Sequence, residues 1–412
     1  MFKRVPGTKD ILPEEVFSWQ KAEKAARQIF SLYNYQEIRT PVIEEASLFN
    51  RTLGTTTEIV QKQMFLIHNQ EDTYALRPEG TASIVRSYLE NNLDKQAGFT
   101  KLYYIGPMFR LERPQKGRLR QFHHIGCEAI GSNHPGLDVE IISLADQLLK
   151  NFGITGYKIK INSLGCPKDK NSLSSGLKEK LQKKEDQLCS DCKGRIKTNV
   201  LRVLDCKNPD CQKIVKEAYP QNTHLCQQCS EHFDKVKRGL NNLNIDFEVT
   251  NQLVRGLDYY NQTVFEITHP DLGSQDAIGA GGRYGSLVKE LGGPDLEGIG
   301  FAFGVERLLL TKNSLAEGQP QKLAYLITLG ENARDAGLKI LSDLRSAKIA
   351  CDTDYLSKSL KGAMRSANDA KAGIVLILGD DELKKNIITV KNMSDSTQKE
   401  ILIQNLIKEL KC

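Results

Sequence analysis

The stretch that most constrains the fold is Gly106–Glu128, GPMFRLERPQKGRLRQFHHIGCE. Residues 101–111 (KLYYIGPMFRL) and 118–130 (RLRQFHHIGCEAI) read as two long strands. Between them, Glu112–Gly117 contains Pro114 and Gly117, both turn formers, so the pattern predicts an antiparallel hairpin with a charged tip. Arg113, Lys116, Arg118 and Arg120 crowd that turn. Four cations so close repel one another unless an anion lies among them, and a phosphate suits the planar guanidinium fork. Arg110 sits in an apolar strand, where an unpaired charge is costly. A solvated hairpin tip is the alternative reading.

Around the hairpin the text alternates between helix and strand. Leu12-Pro13-Glu14-Glu15 marks a helix start. Val16, Trp19, Ala22, Ala26, Ile29 and Phe30 follow at helical spacing to about Tyr33. Gln36–Thr40 and Tyr74–Leu76 read as strands, Gly80–Leu93 and Leu137–Phe152 as helices, and Tyr157–Asn162 as a strand. Residues 165–238 turn Lys-rich, Cys-rich and helical, the signature of an insertion. Strand-like text resumes at Asp246–Val249, Thr263–Thr268 and Gly298–Gly304, and the polar run Asn313–Gln321 is expected to be a linker. Beyond it, an order of β, α, β, α, β, β predicts a small α/β domain over 322–412.

Four further motifs carry residues suited to chemistry. In Arg77–Ala82, RPEGTA, Glu79, Gly80 and Thr81 stand at a helix start. A carboxylate there can hold an ammonium group or simply cap the helix. Leu253–Glu266, LVRGLDYYNQTVFE, sets Arg255 and Asp258 around a glycine, with Tyr259 and Tyr260 next. Ile278–Gly293 looks like a phosphate loop but lacks the βαβ context of a dinucleotide site, so its glycines are expected to permit close backbone approach. Gly298–Leu310, GIGFAFGVERLLL, alternates glycines along a strand, leaving room for a flat ligand, and places Arg307 in the next helix.

The net charge of +6 arises in the insertion, where residues 165–238 hold 16 basic and 10 acidic side chains. A local basic surface can approach phosphates or merely be solvated. The N-terminus shows no apolar export segment and no run is long enough to cross a bilayer, so a cytoplasmic protein without a membrane partner is expected. Six of ten cysteines fall between Cys189 and Cys229. Cys189-x2-Cys192 and Cys226-x2-Cys229 have the spacing of a structural four-thiolate zinc site, with Cys206 and Cys211 as competing ligands, and six reduced thiols as the other reading.

Taken in order, GPMFRLERPQKGRLRQFHH, LVRGLDYY, AGGRY and GFAFGVERL resemble the histidyl-tRNA synthetase family over nearly the whole chain. The resemblance implies an α+β catalytic domain (1–164 and 239–315) built on an antiparallel six-stranded class II synthetase sheet. It also implies a helical Cys-rich insertion at 165–238 and a C-terminal α/β anticodon-binding domain at 322–412. The activity implied is formation of histidyl-adenylate from L-histidine and ATP with Mg²⁺, then transfer to tRNA-His. The chain would be a homodimer joined through Gln36–Gly54.

By position, Arg110, Glu112 and Arg307 resemble the family's ATP-binding residues, with the glycines of Gly298–Gly304 under the adenosine. Glu79, Gly80, Thr81, Glu128, Tyr259, Tyr260 and Tyr284 resemble its histidine-binding residues. Arg255 resembles its catalytic arginine, acting with Arg110 and Arg307. Arg113 and Gln115 resemble contacts to the tRNA acceptor end, including the extra 5′ guanosine of tRNA-His. His124 stands where the family usually has Gln, and is expected to be a neutral acceptor against bound substrate. A rival, the non-catalytic regulatory subunit of histidine biosynthesis, resembles the catalytic domain but lacks an anticodon domain and usually loses the tRNA loop and key arginines, all of which this chain has.

Overall fold

The structure, a computed structural model, describes residues 2–54, 57–219, 225–273, 276–311, 323–356 and 358–411. The linker expected at Asn313–Gln321 lies outside the described residues. The chain divides into two compact units, Met1–Ala316 and Glu317–Cys412. Among the described residues no helix is long and apolar enough to cross a membrane.

The first unit is organised by one eight-stranded mixed sheet. Its six inner strands, in spatial order Thr100–Phe109, Gln121–Ile130, Gly298–Gly304, Ala277–Tyr284, Tyr260–Thr268 and Lys158–Ser163, are all antiparallel neighbours. At the two edges the pairs Gln36–Glu37 and Glu248–Val249 add in parallel. The expected six-stranded antiparallel sheet is thus extended to eight, because each edge is covered by a two-residue segment arriving from a preceding helix. Both segments fall inside stretches read as strands from sequence, Gln36–Thr40 and Asp246–Val249, and pair over only two residues each.

The hairpin forms in register, Phe109 facing Gln121 and Thr100 facing Ile130. Its strands end earlier than the text suggested, because Arg110–Arg120 makes a separate loop closed by a Gln115–Arg118 bridge. Gly117 takes φ +72°, a turn conformation that side-chain-bearing residues resist. The Gly-rich tract Ala277–Tyr284 is a central strand rather than a loop.

One sheet face is covered by helices Pro13–Leu32, Pro135–Asn151 and Gln227–Asn242. Ala22, Ala26, Ile29 and Phe30 of the first, Ile141, Leu144 and Leu148 of the second, and Phe233, Val236 and Leu240 of the third share its core. Pro13 stands at the helix start, where its missing N–H costs nothing. The helix Gln227–Asn242 runs through residue 238 and belongs to this main core. The rest of the insertion packs a separate small core, including Leu173, Leu177, Leu181, Ile196 and Val215.

The second unit has a five-stranded sheet in the order Cys351–Thr353, Ala324–Leu329, Ile374–Gly379, Ile387–Asn392, Gln398–Leu402. The first three strands are parallel and the last two antiparallel. Helices Glu331–Ser346 and Leu360–Asp369 supply the crossovers, as parallel pairing requires. The sequence pattern missed the short helices Asp380–Lys384 and Leu406–Lys411.

Candidate active site

Strand alternation builds the site. Along Gln121–Ile130 successive side chains point to opposite faces. Ile125, Cys127 and Ala129 enter the helix-covered core. Phe122, His124 and Glu128 therefore face the other way, into a cleft open to solvent.

One part of the cleft is a buried acidic and aromatic nest. Glu128 accepts the Thr81 hydroxyl at 2.7 Å and the Tyr284 hydroxyl at 2.9 Å. Gly300 makes room for this carboxylate, since a Cβ there would meet Glu128 Oε2 at 1.9 Å. A Cβ at Gly298 would likewise strike the Tyr284 ring at 2.2 Å. The Cβ positions of these two glycines are thus taken by the Glu128 and Tyr284 side chains. Burial raises the Glu128 pKa to about 8, despite its two hydroxyl donors, with nearby Glu79 adding to the rise.

Glu79 is also buried, and its carboxylate accepts the backbone N–H groups of Thr81 (2.7 Å) and Ala82 (2.8 Å) at the start of helix Thr81–Glu90. The capping reading and the cleft location therefore hold together. Desolvation pushes its pKa up, and the backbone donors oppose this. Tyr259 packs on Tyr260 at 4.6 Å and against Tyr284 at 5.9 Å. Burial drives the hydroxyls of Tyr259 and Tyr284 well above their ordinary range, so they stay protonated donors.

The same cleft receives four guanidinium groups: Arg110, Arg255 and Arg307 from distant stretches of chain, and Arg118 from the hairpin loop. Arg110 Nε donates to the Pro78 carbonyl at 2.9 Å, its guanidinium lies 5.4 Å from the Phe122 ring, and Glu112 is 3.7 Å away. Arg307 donates to the carbonyls of Gly117 (3.0 Å) and Ala277 (2.5 Å). Arg255 pairs with Glu266 at 2.8 Å, while its Nε has no hydrogen-bond partner among the described residues. Desolvation lowers the pKa values of Arg110 and Arg307. An added anion would relieve that cost.

His124 is buried beside these cations. Burial first, then Arg110, Arg77 and His123, depress its pKa to about 3, so the ring is neutral. Its Nδ1 has no hydrogen-bond partner among the described residues, and its ring meets Phe122 edge-on at 5.1 Å.

Thus Glu79, Gly80, Thr81, Arg110, Glu112, His124, Glu128, Arg255, Tyr259, Tyr260, Tyr284 and Arg307 line one cleft. Arg113 and Gln115 do not, and both are exposed at the hairpin tip. The expected cluster of four tip cations is split: Arg118 lines the cleft and binds Glu112 at 3.2 Å, whereas Arg120 binds the Pro6 carbonyl at 3.2 Å. The proposed zinc ligands separate as well. Cys189 and Cys192 group with Cys206 and Cys211, whereas Cys226 and Cys229 group with Cys166 and Asp169. Sequence reasoning missed Tyr104, which lines the cleft. It is held where Gly80 and Gly126 lack side chains, since a Cβ at either would meet its ring within 2.7 Å. It also missed Glu266, the partner of Arg255. The alternation Tyr104, Gly106, Met108 could have flagged the tyrosine, but nothing local could flag Glu266.

Comparison with known proteins gives this geometry a family. Residues 7–308 match the family model described as histidyl-tRNA synthetase, and residues 324–412 match the anticodon binding domain. The chain is 47% identical over 408 residues to the histidine–tRNA ligase of Halothermothrix orenii, covering 98% of this chain and 97% of that one. It is 43% identical to that of Clostridioides difficile, covering 100% and 99%. The crystal structure of apo S. aureus histidyl-tRNA synthetase superposes with a TM-score of 0.83 at 33% identity, covering 100% of both chains.

Proposed function

The chain belongs to the histidyl-tRNA synthetase family and is a histidine–tRNA ligase, and we propose that the cleft joining Glu128 to Arg110, Arg255 and Arg307 is where it activates L-histidine. The observation that carries this assignment is the convergence of those three guanidinium groups on a cleft that also holds a buried, hydroxyl-bonded carboxylate.

L-Histidine places its imidazole against Glu128 and Tyr284, and its ammonium against Glu79 and Thr81, with Gly80, Tyr259 and Tyr260 shaping the pocket. ATP enters as its Mg²⁺ complex, with Glu112 the carboxylate beside its phosphates. The substrate carboxylate attacks the α-phosphorus, the bond to the β-phosphate oxygen breaks, and pyrophosphate leaves. Charge grows on the α-phosphate oxygens, where Arg110 and Arg255 stabilise it, while Arg307 holds the γ-phosphate. Alignment and fixed charge do the catalysis, so no protein nucleophile is needed. A ribose hydroxyl at the tRNA 3′ end then attacks the histidyl carbonyl and AMP departs. Neutral His124 accepts a hydrogen bond through its unpartnered Nδ1.

Arg113 and Gln115 meet the acceptor end of tRNA-His, and residues 324–412 read its anticodon. The catalytic domain corresponds to 1–164 with 239–315 and the core-packed helix Gln227–Asn242, and the insertion to the rest of 165–238. The active form is a homodimer joined through Gln36–Gly54, a reading supported by the exposed Ile43, Leu66 and Ile67 of the adjoining small sheet. Activity belongs in the cytoplasm, with tRNA. The regulatory-subunit reading fits less well, because the C-terminal match to an anticodon binding domain has no place in it.

Aminoacylation of tRNA-His with and without its extra 5′ guanosine tests the assignment. Charging that depends on that nucleotide is expected. Failure to charge either tRNA would overturn it.

A further inference from the structure

The insertion gathers two four-ligand groups that the histidine and ATP chemistry does not use. In the first, the Sγ atoms of Cys189, Cys192, Cys206 and Cys211 all lie within 4.8 Å of one another. In the second, Cys166, Cys226, Cys229 and a carboxylate oxygen of Asp169 do the same. Thiolates bound tetrahedrally to zinc at about 2.3 Å stand about 3.8 Å apart, and Cys189 Sγ lies 3.9 Å from Cys206 Sγ. Four sulfurs converging on one point do not sort into disulfide pairs, which need about 2.05 Å.

Both groups have the same construction. Each contains an x2-spaced cysteine pair at a helix start, Cys189/Cys192 at Ser190–Thr198 and Cys226/Cys229 at Gln227–Asn242. In each, a backbone N–H donates to a sulfur at 3.2 Å, Cys189 to Cys211 and Cys166 to Cys229. Such donors favour the thiolate, the form that binds metal. We propose that the insertion carries two structural zinc ions, one held by four thiolates and one by three thiolates and Asp169.

Their position gives them a task. Helix Pro167–Gln182 starts at the second group, and its Lys170 donates to the carbonyls of Asp258 (2.9 Å) and Tyr260 (3.0 Å). Asn199, directly after the helix that starts at the first group, donates to Asp258 at 2.8 Å. The zinc ions therefore fix the elements that hold the Arg255–Tyr260 loop, within an insertion whose own apolar core is small.

The test is metal content of the purified full chain, prepared without chelator and measured by plasma mass spectrometry. Two zinc ions per chain are expected, falling to one in Cys206→Ser, to one in Cys229→Ser and to none in the double variant. Cobalt exchanged into the unaltered chain should give intense thiolate-to-metal absorption, which reads the sites even if a variant folds poorly. Zinc-free protein with no cobalt–thiolate band would overturn both sites. A single zinc lost in only one variant would uphold that site and overturn the other. Neither readout depends on charging of tRNA.

Discussion

The Thr81 hydroxyl donates to the Glu128 carboxylate at 2.7 Å, linking a helix start to a central strand 47 residues away. This bond aims a buried acid into the cleft at the position proposed for the histidine ring. Passing its proton to a bound imidazole would make Glu128 a charge-assisted partner worth roughly 1.5–3 kcal/mol, and Glu128→Gln keeps the shape but cannot form that pair. The expected result is a rise of about 10- to 100-fold in KM for histidine in adenylate formation, with little change in KM for ATP.

The same carboxylate makes stability depend on pH. Its pKa rises from 4.5 to about 8 on folding, so the folded chain holds a proton that the unfolded chain releases. Stability is fully present below about pH 4.5 and falls as pH rises toward 8, by at most about 1.4 kcal/mol per pH unit. Denaturant titrations of the ligand-free chain from pH 5 to 8 should show this decline relative to Glu128→Gln. Parallel curves for the two proteins would contradict the buried, protonated acid.

His124 carries no such dependence near neutrality. With a pKa of about 3 it does not titrate above pH 6. Histidine activation should therefore trace the same pH profile from 6 to 8 in the unaltered chain and in His124→Gln. An extra acidic limb in the unaltered chain would show that the ring becomes charged.

Arg113 and Gln115 stand exposed on the hairpin tip, outside the cleft. Replacing both with Ala should slow transfer to tRNA about 10-fold or more, while leaving histidine-dependent pyrophosphate exchange within about twofold. Equal losses in both assays would place them in adenylate formation instead.

Arg283, fully buried, clasps Asp138 at 2.6 Å and also donates to the carbonyls of Ser132 and His134. Removing one partner of a buried pair strands the other charge, at about 3–5 kcal/mol. Asp138→Ala should lower the stability of the first unit by that amount in chemical denaturation. A loss under about 1 kcal/mol would mean that the carbonyl bonds together with Glu297, 3.3 Å away, satisfy Arg283.

The sequence exposed the hairpin, the helix carrying Ala22 and Ala26, and the C-terminal alternation, because local periodicity and turn residues encode them. The cleft residues became legible through motif resemblance rather than pattern. The Gly279–Gly282 strand escaped, since its glycines exist to admit Phe265, Phe303 and neighbouring backbone, a tertiary reason with no local signature. The cysteine grouping escaped for a related cause. Spacing joined Cys189 and Cys192 to Cys226 and Cys229, whereas folding brings in Cys206 and Cys211 on one side and Cys166 with Asp169 on the other.

The central claim is that Arg110, Arg255 and Arg307 serve one adenylate-forming centre, and amino-acid-dependent exchange of labelled pyrophosphate into ATP tests it most directly. L-Histidine alone among the amino acids should support exchange, and Arg255→Ala should lower its rate about 10²- to 10³-fold, the scale of losing one fixed charge at a transition state. Exchange that is absent with histidine, or unchanged in Arg255→Ala, would contradict the account.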